Sequence, residues 1–175
     1  MAIAAPFNLQ KWIDEHRHEL KPPVGNRNLY HDAGDYIVMI VAGPNARKDF
    51  HYNETEELFY QLEGDITVTI QEDGTAVPIT IKEGEMFLLP ARVPHSPSRP
   101  AGTIGLVIEC KRKVADTDGL EWYCEKCNAP LHQYRFHLDN IEKDFFPRFK
   151  EYYSNDKMRT CHQCGHVMEV DSRFI

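Results

Sequence analysis

Ile66, Val68 and Ile70 alternate with Thr67 and Thr69, and this two-residue period predicts a half-buried strand. Short apolar stretches recur at Tyr36 to Val41, Leu58 to Leu62, Val77 to Ile81, Met86 to Leu89 and Ile104 to Ile108. Turn signals separate them: Gly43-Pro44, Gly64, Glu72-Asp73-Gly74 and Lys82-Glu83-Gly84. Two stretches follow the helical period instead. From Asn8 to Leu20, the residues Trp12, Ile13, His16 and Leu20 share a face, Asn8 serves as N-cap and Pro22-Pro23 as stop. A second helix is predicted from Asn140 to Tyr153. Many short strands at even turn spacing predict a barrel or sandwich, so the expected fold is mainly β with an N-terminal helix.

Composition changes near Lys111. Lys111 to Gly119 is polar and reads as a linker, and the tail beyond it holds four of the five cysteines. This predicts a barrel over residues 1–112 and a small metal-binding extension over 113–175. With 42% hydrophobic and 27% charged residues in 175, the chain has the balance of a globular protein. A net charge of −7 repels phosphate backbones and argues against nucleic acid as a partner. No apolar run approaches the roughly 20 residues that span a bilayer, so no membrane partner is expected. Met1 to Pro6 carries no secretory pattern, and the expected compartment is the cytoplasm. Thiols stay reduced there, so regularly spaced cysteines point to metal rather than disulfides.

Ligand-type residues gather in two places. The first is His51-Tyr-Asn-Glu-Thr-Glu-Glu57, running on to Gly64; the second runs from Gly84 through Pro90 to His95. His51, Glu57 and His95 can occupy one face of an octahedron and leave the opposite face open, which suits non-haem Fe(II) and oxygen. The spacings resemble the two motifs of the cupin superfamily, which implies a cupin-type β-barrel, or jelly roll. Two positions depart from that pattern. Asn53 stands where a second histidine is common, and Arg99 stands where the second motif often has Asn.

Arg47 lies four residues before His51, and Arg99 four after His95. On a strand such pairs share a face, roughly 13 Å apart when extended. Two arginines beside a metal in an acidic protein suggest an anionic substrate, since the guanidinium fork matches a carboxylate. Glu109 ends an apolar strand. Facing inward, it can accept protons or hydrogen bonds from substrate –NH2 or –OH groups; facing outward, it simply meets solvent.

Residues 20–27, 43–51, 57–62, 88–99 and 105–109 resemble the 3-hydroxyanthranilate 3,4-dioxygenase family, and the resemblance extends to the cysteine tail. It implies an extradiol-type dioxygenase of tryptophan catabolism that turns 3-hydroxyanthranilate and O2 into 2-amino-3-carboxymuconate semialdehyde, on the way to quinolinate and NAD. It implies Fe(II) on His51, Glu57 and His95, with Arg47, Glu57, Arg99 and Glu109 around the substrate. Arg99 would hold the carboxylate, Glu109 the ring substituents, and Arg47 would polarise oxygen. A homodimer is also implied.

Cys124-Glu-Lys-Cys127 and Cys161-His-Gln-Cys164 form two CxxC pairs, the spacing of a tetrahedral Zn or Fe site. Their pattern resembles a rubredoxin or zinc-ribbon knuckle and predicts a structural second metal. Cys110 follows Glu109 and reads as a packed small hydrophobe. Two other readings stand beside the dioxygenase: another cupin enzyme, such as a thiol dioxygenase or sugar-nucleotide epimerase, and a non-enzymatic module. The second would have lost its ligands, and Arg47, Arg99 and Glu109 suit an aminobenzoate better than a thiol or sugar.

Overall fold

The computed structural model describes residues 5–21 and 25–175, with the backbone alone at Ile141 and Glu142. Every stretch predicted as a strand is one. The strands are β1 (Asn26–Asn28), β2 (Tyr36–Ala42), β3 (Phe50–Tyr52), β4 (Glu57–Glu63), β5 (Ile66–Glu72), β6 (Thr75–Ile81), β7 (Met86–Leu89), β8 (His95–Ser98), β9 (Ile104–Cys110), β10 (Asp118–Tyr123) and β11 (Pro130–Phe136). They form two antiparallel sheets, ordered β1-β2-β9-β4-β7 and β11-β10-β3-β8-β5-β6. The fold is the mainly β, two-sheet arrangement expected of a jelly roll.

Alternation sorts each strand. In β4, Glu57, Phe59 and Gln61 are buried while Leu58 and Tyr60 are not. Their partners in β9 are Glu109, Val107 and Gly105, which are also buried. Met39, Phe59, Ile66, Val68, Ile81, Leu89 and Val107 fill the space between the sheets. The helix α1 (Leu9–His16) lies on the outer face of the first sheet, with Ile13 and Leu20 against Ile40, Ala42 and Ile104. Asn8 caps it, accepting from the Lys11 N–H at 2.8 Å. The helix stops four residues before the predicted end. Glu19 and Leu20 donate to the carbonyls of His16 and Arg17, a tighter turn that leads the chain off the helix axis. The Pro22-Pro23 stop lies outside the described residues.

The polar segment after Lys111 behaves differently from a solvated linker. Arg112 has a buried side chain, Asp118 opens β10, and β10 pairs with β3 through Gly119–Tyr52, Leu120–His51 and Glu121–Phe50. The tail therefore extends the second sheet. Its helix α2 (Ile141–Tyr153) lies where the sequence predicts one, and Asn140 caps it, accepting from the Lys143 N–H. Phe145, Phe149, Tyr152 and Tyr153 pack with Leu120, Trp122 and Met168 into a second core. Among the described residues no helix is long and apolar enough to cross a membrane.

Candidate metal centre

Three strands bring the ligand set together. Register places His51 of β3 directly opposite His95 of β8, so both imidazoles leave the second sheet on one face. Glu57 opens β4 in the other sheet and meets them across the gap. One ligand atom from each of the three lies within 4.8 Å of the others, and all three residues are buried. His95 Nε2 is 3.1 Å from Glu57 Oε2. Neighbouring positions of an octahedron with bonds of about 2.1 Å are about 3 Å apart, so the donors fit a single hard or borderline cation such as Fe(II).

The electrostatics agree with that set. Burial pushes the Glu57 carboxyl up, but His95 and then His51 outweigh it and hold the group below its ordinary range. Burial lowers His95, yet Glu57 raises it above the ordinary imidazole value. Asn53 turns its amide to the same carboxylate, with Nδ2 3.4 Å from Glu57 Oε2, while Arg92 N–H donates to the Asn53 carbonyl. The residue that replaces a second histidine thus contacts the Glu57 carboxylate. Val93 O lies 3.0 Å from His95 Nδ1 and fixes the ring from behind.

His51 has its own partner. Asp118 Oδ2 lies 2.7 Å from His51 Nε2 and also accepts from Arg112 Nη2 at 2.8 Å. Arg112 Nη1 donates to Glu109 in turn. Four side chains from β3, β10, the β9–β10 connection and β9 form one buried chain: His51, Asp118, Arg112, Glu109. Glu109 faces inward, opposite Glu57, and burial together with the Glu57 charge raises its pKa despite Arg112.

The two arginines differ. Arg99 is 3% exposed and follows β8 in a bridge to Asn45, which keeps it on the His95 face. Its side chain finds Gln61 Oε1 at 3.2 Å and, among the described residues, no acid within ion-pair distance. Burial lowers its pKa to about 10, with Glu57 opposing. Arg47 lies outside β3, in irregular backbone, so simple alternation does not place it. Its guanidinium pairs with the buried Asp49 at 3.3 Å and sits over the rings of Phe145 and Phe149. Phe145 also packs edge-on to His51, so α2 of the tail touches the His51/Glu57/His95 set.

The four cysteines of the tail converge separately. Cys124 Sγ is 3.5 Å from Cys164 Sγ, and Cys127 Sγ is 3.5 Å from Cys161 Sγ. A tetrahedral site with bonds of about 2.3 Å separates its sulfurs by about 3.8 Å, so the thiols fit Zn or Fe. The two knuckles are built alike. Asn128 and Gly165 follow the second cysteine of each pair with φ of 58° and 73°, and each donates its N–H to the carbonyl of the first cysteine. Backbone N–H groups of Cys164 and Gln163 pull the Cys161 thiol down to about 6, toward the thiolate that a metal needs. Cys110 is half-buried and apart from both centres.

Sequence reasoning missed Asp118, Arg112 and Gln61, and it noted Asn53 without its contact to Glu57. Gln61 carried a signal, since it shares the alternation of Glu57 and Phe59. Asp118 and Arg112 carried none, because a buried ion pair and a solvated linker have the same composition.

The chain matches the family model described as 3-HAO, 3-hydroxyanthranilic acid dioxygenase, over residues 1–153. It is 52% identical to a 3-hydroxyanthranilate 3,4-dioxygenase of Xanthomonas campestris pv. campestris over 172 residues, 98% of this chain and 97% of the relative. It is 46% identical to the one from Ruegeria pomeroyi over 168 residues, 95% and 93% of the two chains. Among solved structures it is similar to a cupin-2 domain protein of Shewanella frigidimarina, with TM-score 0.46, 20% identity, and coverage of 59% of this chain and 100% of that one. The chain belongs to the 3-hydroxyanthranilic acid dioxygenase family.

Proposed function

We propose that this protein is a non-haem Fe(II) dioxygenase that opens the ring of 3-hydroxyanthranilate with O2, giving 2-amino-3-carboxymuconate semialdehyde with both oxygen atoms retained. The observation that carries the reading is a buried His51/Glu57/His95 set beside a buried Arg99 whose side chain, among the described residues, hydrogen-bonds to Gln61 and to no acid. A facial set suits an oxygenase, and an uncompensated guanidinium suits an aromatic carboxylate.

When bound, Fe(II) supplies open positions where an ortho-aminophenol and oxygen meet, together with a path for electrons between them. The chain's own residues do the rest. Arg99 holds the carboxylate and sets the ring's distance from the ligand set. Glu109 accepts a hydrogen bond or proton from the –NH2 or –OH of the ring; burial and the Glu57 charge raise its pKa, which favours a group that takes up a proton. Glu57 serves as ligand and borders the bound ring. Arg47 polarises oxygen once its guanidinium swings from Asp49. The inward apolar row of Phe59 and Val107 keeps water from the reacting face.

The four-cysteine site holds a second metal, Zn or Fe, in a structural role. Its knuckle is fastened to the barrel where Asn128 donates to Gln71 Oε1 at 2.8 Å and to Gly74 O at 2.9 Å. Function divides at residue 112: catalytic ligands before it, the second metal after it. A homodimer in the cytoplasm completes the reading. Its support is the outer face of the first sheet, where Met86, Leu88 and Tyr36 are 62%, 52% and 55% exposed beside Leu58, Tyr60, Val38 and Ile108. An apolar face of that kind is a usual subunit contact.

The test is anaerobic reconstitution with Fe(II), addition of 3-hydroxyanthranilate, then air. The expected result is one O2 taken up per substrate, with the absorbance of a ring-opened product. Iron-loaded protein that binds substrate and consumes no oxygen ends this reading.

A further inference from the structure

Arg99 is held in an unusual way for a buried cation. Among the described residues its one side-chain hydrogen-bond partner is the neutral amide of Gln61, with Oε1 3.2 Å from Nη1. The amide cannot turn round. Gln61 Nε2 donates to the carbonyls of Glu63 at 2.8 Å and Ile104 at 3.1 Å, two acceptors that leave only the oxygen for Arg99. A register shift between Gln61 and Glu63, where β4 pairs with β9, brings both carbonyls to the same amide. Gln61 is itself 1% exposed.

The opposite strand is shaped to the pair. Gly105 faces Gln61, and a Cβ there would lie 2.7 Å from both Arg99 Nη1 and Gln61 Oε1. Any side chain at 105 would push the two groups apart. The contact is therefore built from three positions on three strands or strand ends, each with a specific requirement: an amide, a guanidinium and no side chain.

We infer that Gln61 is a positioning and specificity residue, aiming Arg99 while leaving its charge free for an anionic ring substituent. A glutamate of nearly the same shape would neutralise Arg99 from within the protein. A neutral acceptor orients the fork and lets the incoming carboxylate be the counter-ion, so the pocket selects a carboxylated aminophenol over an uncarboxylated one. This inference rests on the proposed role of Arg99.

The test compares binding of 3-hydroxyanthranilate and of 2-aminophenol, which lacks the carboxylate, to iron-loaded protein under argon, followed by ligand absorbance. In Gln61→Glu, affinity for 3-hydroxyanthranilate is expected to fall roughly ten- to a hundredfold, the worth of a charge-assisted contact. Affinity for 2-aminophenol should change by less than roughly threefold. Gln61→Met, which removes the acceptor without adding charge, should likewise weaken 3-hydroxyanthranilate more than 2-aminophenol, by a smaller factor, and so reduce the preference; it serves alone where the glutamate variant fails to fold by circular dichroism. Equal weakening of both ligands, or weakening of neither, overturns the inference. Arg99→Met separates the two levels: if it leaves 3-hydroxyanthranilate binding intact, the Arg99 role fails; if it abolishes the preference while both Gln61 variants keep it, only the Gln61 role fails.

Discussion

Asp118 Oδ2 lies 2.7 Å from His51 Nε2, and this pair ties His51 on β3, one of the His51/Glu57/His95 set, to the first residue of β10. An ionised carboxylate only accepts, so Asp118 sets the tautomer and orientation of the ring. Arg112 balances the charge by donating to Asp118 through Nε and Nη2. Asp118→Asn keeps the volume and removes the charge. It is expected to weaken Fe(II) binding about ten- to a hundredfold, read by competition with a coloured chelator. Unchanged iron affinity would show that His51 needs no help from the tail.

The same pair makes an acid-stability prediction. Burial raises the Asp118 carboxyl, but the hydrogen bonds from His51 and Arg112 outweigh it, and the folded-state pKa lies below the ordinary value of 3.8. The unfolded chain then binds this proton more readily than the folded one. The stability Asp118 contributes is present above about pH 4 and is lost as pH falls through the lower folded value. Denaturation of metal-free protein, followed by circular dichroism between about pH 5 and pH 2, should be less steep in Asp118→Asn. An identical slope would assign the acid transition to other carboxylates.

Arg99→Ala removes the proposed carboxylate hook. KM for 3-hydroxyanthranilate is expected to rise about a hundredfold, and kcat to fall less, because the remaining groups still meet a bound ring. Steady-state oxygen uptake measures both. A KM near that of the parent would mean that the carboxylate is held elsewhere.

How much of this was legible in the sequence depends on what signal each residue leaves. Ile66, Val68 and Ile70 announce a strand because one face is wet, and the two-residue period survives. His51, Glu57 and His95 were legible because glycines, a proline and fixed spacings surround them. β3 and β8 were not predicted as strands, since three or four residues carrying ligands lack an apolar rhythm. Asp118 was read as linker because its counter-charge, Arg112, meets it only through folding. Arg47 was assigned to the barrel face by counting along a strand, but the regular strand begins at Phe50. Its partners, Asp49 and the two phenyl rings of α2, belong to tertiary contacts that no local period encodes.

The second metal should be separable from the first. Cys124→Ser with Cys127→Ser removes two of four thiolates and is expected to lose one equivalent of metal, while the His51/Glu57/His95 set keeps its iron. Plasma emission analysis of the purified variant counts both metals. The melting temperature should fall, because Cys124 directly follows Trp122 and Tyr123 on β10, and Trp122 is fully buried in the tail core. Loss of both metals together would mean that the two centres form as one unit.

Leu88 tests the outer face of the first sheet. It is 52% exposed on β7, an edge strand, opposite Leu58, and its side chain points away from the metal centre. As an exposed residue of a monomer, Leu88→Asp would cost little and leave the molecular mass unchanged. As a residue of a subunit contact, it would place a carboxylate among Met86, Leu58 and Tyr60, where desolvation of a charge costs about 3 kcal/mol. Light scattering on a sizing column is expected to show the parent at twice the chain mass and the variant at once that mass. Iron content should be equal in both, because the ligands lie on the inner faces. A parent that runs as a monomer, or a variant that stays dimeric, would remove this sheet face from the interface.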